Sequence, residues 1–307
     1  MPELPEVQTT VVGLKKTIIG LTIKNIWTDL AKMRQPIPQF RETLKSDIFY
    51  RKFKKAVVGK KIISVERRAK NILIYLGNKK TILIHMKMTG HLLYGLYEYD
   101  KKNNTWEVSA NEKNNALRDP FNRFIHVVFS FDNKKHLALC DSRKFAKVTL
   151  LESALAHKAH FQNMGPEPLE KSFLVKKFIE RLQTKPKHKI KQILLDQHVI
   201  AGIGNIYSDE MLWLSNIHPL RKPEDITNEE FKLLFQAMRK VLKKGINFKG
   251  DSTSDYRNID GQPGRFNHHH NAYRLTNKKC QKKGCKGIIK RIVVAGRSAH
   301  FCNTHQT

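Results

Sequence analysis

The chain of 307 residues has few cysteines, few acidic residues and no long apolar run, and each shortage excludes a class of protein. Four cysteines in a chain of this length do not make a disulfide scaffold. No run of about 18 apolar residues is present, which argues against a membrane-spanning helix. The first residues lack the basic and apolar segments of a secretory signal. We therefore expect a protein of a reducing compartment that does not use a membrane.

The shortage of acidic residues leaves a large positive charge. Lys and Arg together number 57 against 27 Asp and Glu, so the formal net charge is +30. Nucleic acid is the partner that this balance favours; an anionic membrane surface and a lysine-rich proteome are the other interpretations. The charge is spread along the chain, and hydrophobic residues make up 40% of it, so folded segments carry the charge. Binding to a polyanion should weaken steeply with salt.

The first half of the chain is predicted to form one helix followed by a β-rich region. A helix over 5–19 has Pro5 in its first turn, an apolar face, and Gly20 as its stop. From about 21 to 150 the apolar runs are short and separated by turn residues, which is typical of strands. The segment 97–120 is polar and is predicted to be a long loop.

The second half is predicted to be helical up to a Cys/His-containing tail. Thr227, with Glu230 three residues later, forms a capping box at the start of one helix. Residues 250–270 lack periodicity and are predicted to form a long loop. The other predicted helices are at 174–182, at 187–198, and from Gly204-Asn205 through Trp213.

The tail carries four metal-ligand side chains in two close pairs. The pairs are Cys280 with Cys285, and Cys302 with His305. Between them, two apolar runs flank Ala295-Gly296, which indicates a β-hairpin. Tetrahedral zinc takes four such ligands from two turns, so the spacing predicts a zinc ribbon with one structural Zn²⁺. His300 is an alternative fourth ligand, and free cysteines or a disulfide are the alternatives to a metal.

The extreme N-terminus suggests amine chemistry. Met1 precedes a small residue and is normally removed, which would expose the secondary amine of Pro2. An α-amine has a pKa near ~8, so part of it is neutral and nucleophilic at neutral pH. With the carboxylates of Glu3 and Glu6 beside it, such an amine suits attack on a sugar carbon and Schiff-base formation. An ordinary Pro/Glu-rich helix start is the alternative on these residues alone.

Four motifs occur in one order along the chain before the Cys/His tail. They are MPELPEV at 1–7, MGPEPL at 164–169, AGIGNIYSDE at 201–210 and DGQPGRF at 260–266. Together with the tail they resemble the family of formamidopyrimidine-DNA glycosylase and endonuclease VIII, over essentially the whole chain. Leu4 favours the formamidopyrimidine branch, because endonuclease VIII relatives usually carry Gly there.

The resemblance implies an α+β multidomain fold and a DNA-repair activity. It implies an N-terminal catalytic β-sandwich with flanking helices over 1–155, a helical helix–two-turn–helix domain with a lesion-recognition loop over 156–271, and a zinc-finger hairpin over 272–307. A damaged purine would be flipped out of double-stranded DNA, its glycosidic bond cleaved, and the strand nicked by β,δ-elimination. We expect a monomer in the cytoplasm, associated with the nucleoid.

The resemblance also implies roles for individual residues at the reacting sugar. Pro2 would be the nucleophile and Glu3 the general acid that opens the sugar ring. Lys70 would reach the lesion and assist elimination. Arg297 would bind the phosphate at the lesion and act in δ-elimination.

Other residues are expected to hold the DNA. Met88 and Phe145 would fill the gap left by the flipped base, and Arg143 would face the estranged cytosine. Asn205 would clamp a phosphate at a helix start. Three further residues complete the DNA-binding group: Lys187 and Lys191 as phosphate contacts, and Glu6 as a support for the N-terminus and the helix start, with a plain helix-start carboxylate as its alternative.

The chain departs from the family pattern at several positions. Phe124 replaces a family His that contacts DNA, residues 272–275 differ from the usual sequence, and the zinc ligands are spaced unusually. The run His268–His270 has no assigned role. Three alternatives remain: an oxidised-pyrimidine glycosylase of endonuclease VIII type, a catalytically silent damaged-DNA-binding protein, and a zinc-ribbon RNA-binding protein.

Overall fold

The computed structural model describes residues 1–34 and 37–307. These residues form two compact units. The first, which we call the sheet unit, contains 1–162 and 249–265; the second, the helical unit, contains 163–248 and 266–307. The segment 249–265, which we call the return loop, therefore packs with the sheet unit although helices precede it in the sequence.

The sheet unit begins with the predicted N-terminal helix, α1 (Leu4–Thr17), followed by β1 (Ile23–Thr28) and α2 (Asp47–Val57). Its remaining elements are β2 (Ile62–Arg68), β3 (Asn71–Leu76), β4 (Thr81–His85), β5 (His91–Gly95), β6 (Tyr97–Asp100), β7 (Thr105–Val108), β8 (Ile125–Phe131), β9 (His136–Cys140), β10 (Lys147–Leu151) and α3 (Ala154–Phe161). The main strands form two antiparallel four-stranded sheets, in the orders β1-β8-β9-β5 and β10-β4-β3-β2.

One hydrophobic core joins the two sheets and α1. Val7, Val11 and Leu14 on α1 are buried in the same cluster as Ile74 of β3 and Leu139 of β9. The spacing on α1 places these side chains on one helical face, and alternation along the strands directs apolar residues inward. The predicted β-sandwich with a flanking helix is confirmed.

The prediction of a long loop at 97–120 is wrong for most of its length. β6 and β7 form a hairpin in which Tyr99 pairs with Trp106, and 3₁₀ turns cover Asn115–Arg118 and Pro120–Arg123. The Trp106 ring packs against Trp27 of β1 and His136 of β9. Aromatic contacts with distant strands stabilise this hairpin. Its turn and flanking residues are polar, so the local sequence shows no clear strand pattern.

The helical unit contains α4 (Val175–Gln183), α5 (Ile190–Leu195), α6 (Asn205–Ser215), α7 (Asn228–Asn247) and a hairpin of β11 (Ile289–Val294) and β12 (Arg297–Cys302). The capping box of α7 is confirmed: Thr227 N–H donates to Glu230 Oε2 at 2.8 Å, and Glu230 N–H donates to Thr227 Oγ1 at 3.3 Å. No helix among the described residues is long and apolar enough to cross a membrane.

The prediction of a helix over 187–198 is too long at both ends, because α5 has only six residues. Asp196 adopts an extended backbone and ends the helix. Its carboxylate accepts the N–H of His198 at 2.9 Å and pairs with Lys185. A short acidic side chain that bonds to nearby backbone competes with helix continuation.

Candidate DNA-binding and catalytic site

The N-terminal peptide is held in place by the carboxylate of Glu6. Pro2 and Glu3 are buried and lie directly before α1. Glu6 Oε2 accepts the N–H of Glu3 at 2.7 Å, and its Oε1 accepts the N–H of Asp251 at 2.7 Å. Glu6 is only 1% exposed. Its grouping with the DNA-binding residues is therefore wrong as a direct contact, whereas the interpretation as a support for the N-terminus fits these bonds.

The return loop packs closely on this peptide. Gly250 has a φ of +90°, and a Cβ there would lie 2.9 Å from Glu6 Cγ, so both the conformation and the space require glycine. Tyr256 donates its hydroxyl to Glu6 O at 3.1 Å. Burial and the charge of Glu6 raise the pKa of Tyr256, so the hydroxyl stays protonated as a donor.

Lys70 lies in the turn between β2 and β3, after Ala69 with a φ of +53°. The neighbouring residue Asn71 is paired with His85 on β4. Burial, with the positive charges of Lys87, Lys70 and Lys147, lowers the pKa of His85 to about 3. His85 is therefore neutral at physiological pH, and its Nδ1 accepts the N–H of Lys87 at 3.0 Å. This end of the sheet concentrates positive charge where a polyanion would be stabilised.

Two loops of the sheet unit carry the residues expected to fill the DNA stack. Met88 is half-buried in the turn after β4, and Arg143 and Phe145 are exposed in the loop before β10. Phe145 is 45% exposed, and the Arg143 guanidinium lies 4.5 Å from its ring centroid. A hydrogen bond from Thr89 to Asp141 joins the two loops.

Asp141 is a residue that sequence analysis did not single out, although it stands in the same DSRKF motif. Besides bonding Thr89, its carboxylate accepts the N–H groups of Arg143 at 3.3 Å and Ala146 at 2.6 Å. Three donors on one buried carboxylate fix the loop from inside. Phe145 is therefore presented to solvent on a rigid support, unlike a core residue.

In the helical unit, Asn205 is the first residue of α6, where backbone N–H groups favour an anion. Its Oδ1 is buried without a hydrogen-bond partner among the described residues. Lys187 is exposed in the turn before α5. These two placements are compatible with the predicted phosphate contacts, which remain predictions.

Lys191 has a different environment from the one predicted. Its side chain is fully buried, and its ammonium donates to Asp209 Oδ1 at 2.5 Å, Ser208 Oγ at 2.8 Å and Asn205 O at 3.1 Å. A lysine ammonium has three donors, and all three are used inside the unit. The prediction that Lys191 contacts a phosphate is therefore wrong for this geometry.

Arg297 is exposed at the start of β12, after a turn in which Ala295 and Gly296 both have positive φ. It lines a cavity of about 330 Å³ within the helical unit. The other lining residues come from the end of the β-hairpin turn and from α5 and its flanking turns: Lys185, His188, Gln192, Ile193, Leu195, Asp196 and Ala295. A cavity lined by an exposed arginine side chain can accept an anion of phosphate size.

The two Cys/His pairs of the tail come together as one possible metal-binding group. The ligand atoms of Cys280, Cys285, Cys302 and His305 all lie within 4.8 Å of one another. His305 donates through Nε2 to Trp213 O at 3.2 Å, which turns Nδ1 toward the sulfurs. His300 instead bonds Asp209 through Nδ1 at 2.9 Å, so His305 is the fourth member. Three thiolates and one imidazole fit a structural zinc.

Comparison with known proteins agrees with this geometry. The family model for the formamidopyrimidine-DNA glycosylase N-terminal domain matches residues 1–148, and that for the H2TH domain of the same glycosylase matches 164–257. The formamidopyrimidine-DNA glycosylases of Herpetosiphon aurantiacus and Chloroflexus aurantiacus are each 37% identical to this chain. The first match covers 98% of both chains, and the second covers 100% of this chain and 98% of its relative.

Solved structures with the same fold contain DNA. The complex of Lactococcus lactis Fpg with abasic-site DNA has a TM-score of 0.78 and 30% identity, covering 98% of this chain and 97% of that one. MutM in complex with DNA containing carbocyclic 8-oxo-G has a TM-score of 0.78 and 30% identity, covering 98% of each chain.

The fold and the matched domains define a DNA glycosylase of base excision repair. The chain belongs to the formamidopyrimidine-DNA glycosylase family. The resemblance read from the motifs and the fold class that it implied are both confirmed.

Proposed function

We propose that the protein removes oxidised purines, such as 8-oxoguanine and formamidopyrimidines, from duplex DNA and then nicks the strand. The observation that carries this proposal is the N-terminal peptide: Pro2 and Glu3 are buried directly before α1, and Glu6 holds the N–H of Glu3, in the unit whose Lys70 turn concentrates positive charge. Binding alone requires neither a proline directly after Met1 nor a buried acid beside it. The abasic-site and 8-oxo-G DNA bound by the structural relatives supports the same reaction class.

The chemistry starts with the amine. After removal of Met1, Pro2 N attacks the sugar C1′ as the bond from C1′ to the damaged base breaks, and the base takes up the proton that Pro2 N loses. Glu3 delivers a proton to the ring oxygen, the ring opens, and an iminium forms between Pro2 N and C1′. The resulting iminium withdraws electrons from the C2′–H bond. Loss of that proton expels the 3′-phosphate, and a second elimination expels the 5′-phosphate. Lys70 assists elimination, and Arg297 neutralises phosphate charge as it develops.

The preference for an oxidised purine rests on the loop before β10. Phe145 is an exposed aromatic ring on a rigid support, and Arg143 lies beside it. An apolar wedge can keep the stack intact where a base has left, and a guanidinium can donate to the acceptors of the estranged base. Cytosine opposite the lesion would be read by Arg143. Asn205 and Lys187 would bind phosphates, and the protein would act as a monomer at the nucleoid.

One zinc ion would hold the β11–β12 hairpin through Cys280, Cys285, Cys302 and His305. Four protein ligands would complete a tetrahedral site and leave no position for substrate, so these residues would hold the hairpin that carries Arg297 on β12. We expect about one zinc per chain by metal analysis. His305→Ala should release it, whereas His300→Ala, at the neighbouring imidazole outside the group, should keep it. Retention of zinc in His305→Ala would contradict this ligand set.

Borohydride trapping tests the proposed reaction directly. The protein, with Met1 confirmed absent, is reacted with a duplex carrying one 8-oxoguanine opposite cytosine and with an abasic-site duplex. A covalent adduct on both is expected, and Pro2→Gly should weaken chemistry while leaving DNA binding intact. Unchanged turnover in Pro2→Gly would exclude Pro2 as the nucleophile.

The remaining outcomes separate the alternatives. An adduct only with the abasic duplex would keep the lyase and redirect the search to another lesion, with oxidised pyrimidines tested next. No adduct with either duplex would favour a catalytically silent DNA-binding protein.

A further inference from the structure

Residues 109–123, in the connection between β7 and β8, make an ion pair and hydrogen bonds with the return loop. Arg257 of the loop makes a two-point ion pair with Asp119: Nε lies 3.0 Å from Oδ2, and Nη2 lies 3.3 Å from Oδ1. The Arg257 guanidinium also lies 4.5 Å from the centroid of the Phe121 ring. Arg257 is 7% exposed and the Asp119 side chain 24%, so the guanidinium is buried and solvent reaches the pair only from the carboxylate side.

Further contacts between the two segments involve the backbone of the return loop. Asn114 Nδ2 donates to Asp260 O at 2.8 Å, and Asn122 Nδ2 donates to Gly261 O at 3.4 Å. Gly261 has a φ of +81°, and a Cβ there would lie 2.6 Å from Ala116 O. The two backbones therefore approach so closely that only glycine fits at this position.

The other end of the return loop is hydrogen-bonded to residues that lie next to the candidate site residues. Asp251 N–H donates to Glu6, whose carboxylate also holds Glu3. Ser142 donates to Asp255 Oδ2 at 2.6 Å, and Ser142 precedes Arg143 in the loop before β10. The return loop thus contacts both the peptide that carries the amine and the loop that would fill the DNA stack.

Most of the return loop has no regular secondary structure, so tertiary contacts must fix its conformation. A buried guanidinium with its carboxylate partner strongly disfavours any conformation that separates the two charges. Asp119 is itself fixed, because its Oδ1 accepts the N–H of Phe121 at 2.9 Å and caps a 3₁₀ turn. The pair therefore attaches the irregular return loop to a fixed point, Asp119, in one defined geometry.

We propose that the Asp119–Arg257 pair positions the return loop to recognise the flipped base, so that segment 109–123 sets base excision without touching DNA. This inference rests on the proposed function. Arg257 and Asp119 are positioning residues, since they act through the loop. An abasic site has no base to recognise, so excision and abasic-site nicking should respond differently to the loss of the pair.

The test uses two variants and a matched control in the full chain. Asp119→Asn keeps the oxygen that caps the 3₁₀ turn but removes the charge, and Arg257→Gln removes the other partner. Lys113→Gln removes a charge from an exposed side chain of the same segment. Single-turnover excision of 8-oxoguanine opposite cytosine and nicking of an abasic duplex are measured on each protein.

Each pair variant should lower excision about ten-fold while nicking changes less than about two-fold, and the double variant should be no worse than either single one. Lys113→Gln should match wild type in both assays. Unchanged excision in Asp119→Asn and Arg257→Gln would overturn the proposal. Equal losses of excision and nicking would also overturn it, because the pair would then support the N-terminal peptide or the fold instead of base recognition.

Hydrogen exchange of the DNA-free protein separates this inference from the proposed function. Amides of residues 254–262 should exchange faster in Asp119→Asn than in wild type and Lys113→Gln. Unchanged protection would overturn the proposal, whatever the activities. If wild type neither excises nor nicks, the proposed function fails, and the exchange measurement still decides whether the pair orders the loop.

Discussion

Lys187 and Lys191 stand four positions apart in one basic segment, and the structure gives them opposite environments. Lys187 is exposed in the turn before α5, whereas Lys191 is fully buried in α5 and paired with Asp209. Sequence analysis assigned both to DNA phosphates. The difference shows that a lysine in a basic protein is available to bind DNA only where no buried carboxylate of the same chain forms an ion pair with it. The carboxylate that pairs with Lys191 lies eighteen residues further along the chain.

Asp209 explains why the buried lysine is tolerated. Its second oxygen accepts the N–H and the Nδ1 of His300, at 3.0 and 2.9 Å, so one carboxylate joins α5, α6 and β12. The next residue, Glu210, accepts the N–H groups of Asn271, Ala272 and Tyr273. The motif that begins α6 thus contains Asn205, whose phosphate contact is a prediction, and two acidic residues with partners inside the unit: Asp209 bonds β12, and Glu210 bonds the backbone of 271–273.

The strongest test of this comparison is the loss of the buried ammonium. Lys191→Met keeps most of the side-chain volume but leaves Asp209 buried without its cation. We expect the free energy of unfolding to fall by about 3–5 kcal/mol, because an uncompensated buried charge is left behind. Chemical denaturation at neutral pH measures the change.

The matched control is Lys187→Met at the exposed position. Its stability should change by less than about 0.5 kcal/mol, while its DNA affinity should fall and lose part of its salt dependence. Equal stability of the two variants would contradict the distinction between them. A normal denaturation midpoint combined with lost DNA binding in Lys191→Met would restore the phosphate contact predicted from sequence.

Most of the fold could be predicted from sequence where the signal is local. The face of α1 and the capping box of α7 are short-range patterns, and both were confirmed. The helix α2 was missed, although Ser46 caps it and Phe53 and Val57 lie on one face, because the surrounding segment was interpreted as β-rich. The β6–β7 hairpin was missed because its stabilising partners are distant in sequence.

The candidate site also has a part that local sequence motifs indicate and a part that depends on long-range contacts. The motifs suggested Pro2, Glu3, Arg143 and Phe145 as candidates, since each stands in a recognisable string of residues, and their roles stay predictions. They could not locate the pair Arg257 and Asp119, which are 138 positions apart. Partners so distant in sequence leave no spacing pattern, so only the folded chain shows which charged side chains form ion pairs with each other.

Arg297 extends the comparison to the hairpin, because it is an exposed cation beside a cavity and should behave like Lys187 and unlike Lys191. Arg297→Ala should weaken DNA binding by about 1–2 kcal/mol and reduce the slope of log affinity against log salt by about 1, since one phosphate contact is lost. It should also lower strand nicking. Titration of a fluorescent duplex at several salt concentrations measures the first two effects.

The control for Arg297 is Lys290→Ala, an exposed positive charge on the paired strand β11. It removes the same net charge without removing the residue at the cavity. If both variants lose affinity and salt dependence equally, Arg297 contributes only to the general field of the protein. If only Arg297→Ala affects nicking, a specific contact is supported.

The smallest effect is expected at an ion pair that lies between the buried and exposed extremes. Glu230 accepts from Arg221 Nη2 at 3.0 Å, and the two side chains are 29% and 19% exposed. The bond to Arg221 lowers the pKa of Glu230 from 4.5 to about 2. A carboxyl whose pKa is depressed on folding adds stability above its ordinary pKa, and that stability is lost as the pH falls toward the folded value.

Glu230→Gln keeps an acceptor for the capping box and removes the charge. Its free energy of unfolding should be lower than that of wild type by about 1 kcal/mol near neutral pH, since solvent screens this pair. The difference should shrink below pH 4.5 and vanish toward about pH 2, where wild-type Glu230 becomes protonated. Denaturation of both proteins across this range measures it. A difference that stays constant with pH would show that Gln disturbs the cap itself, and that this partly buried pair adds nothing to stability.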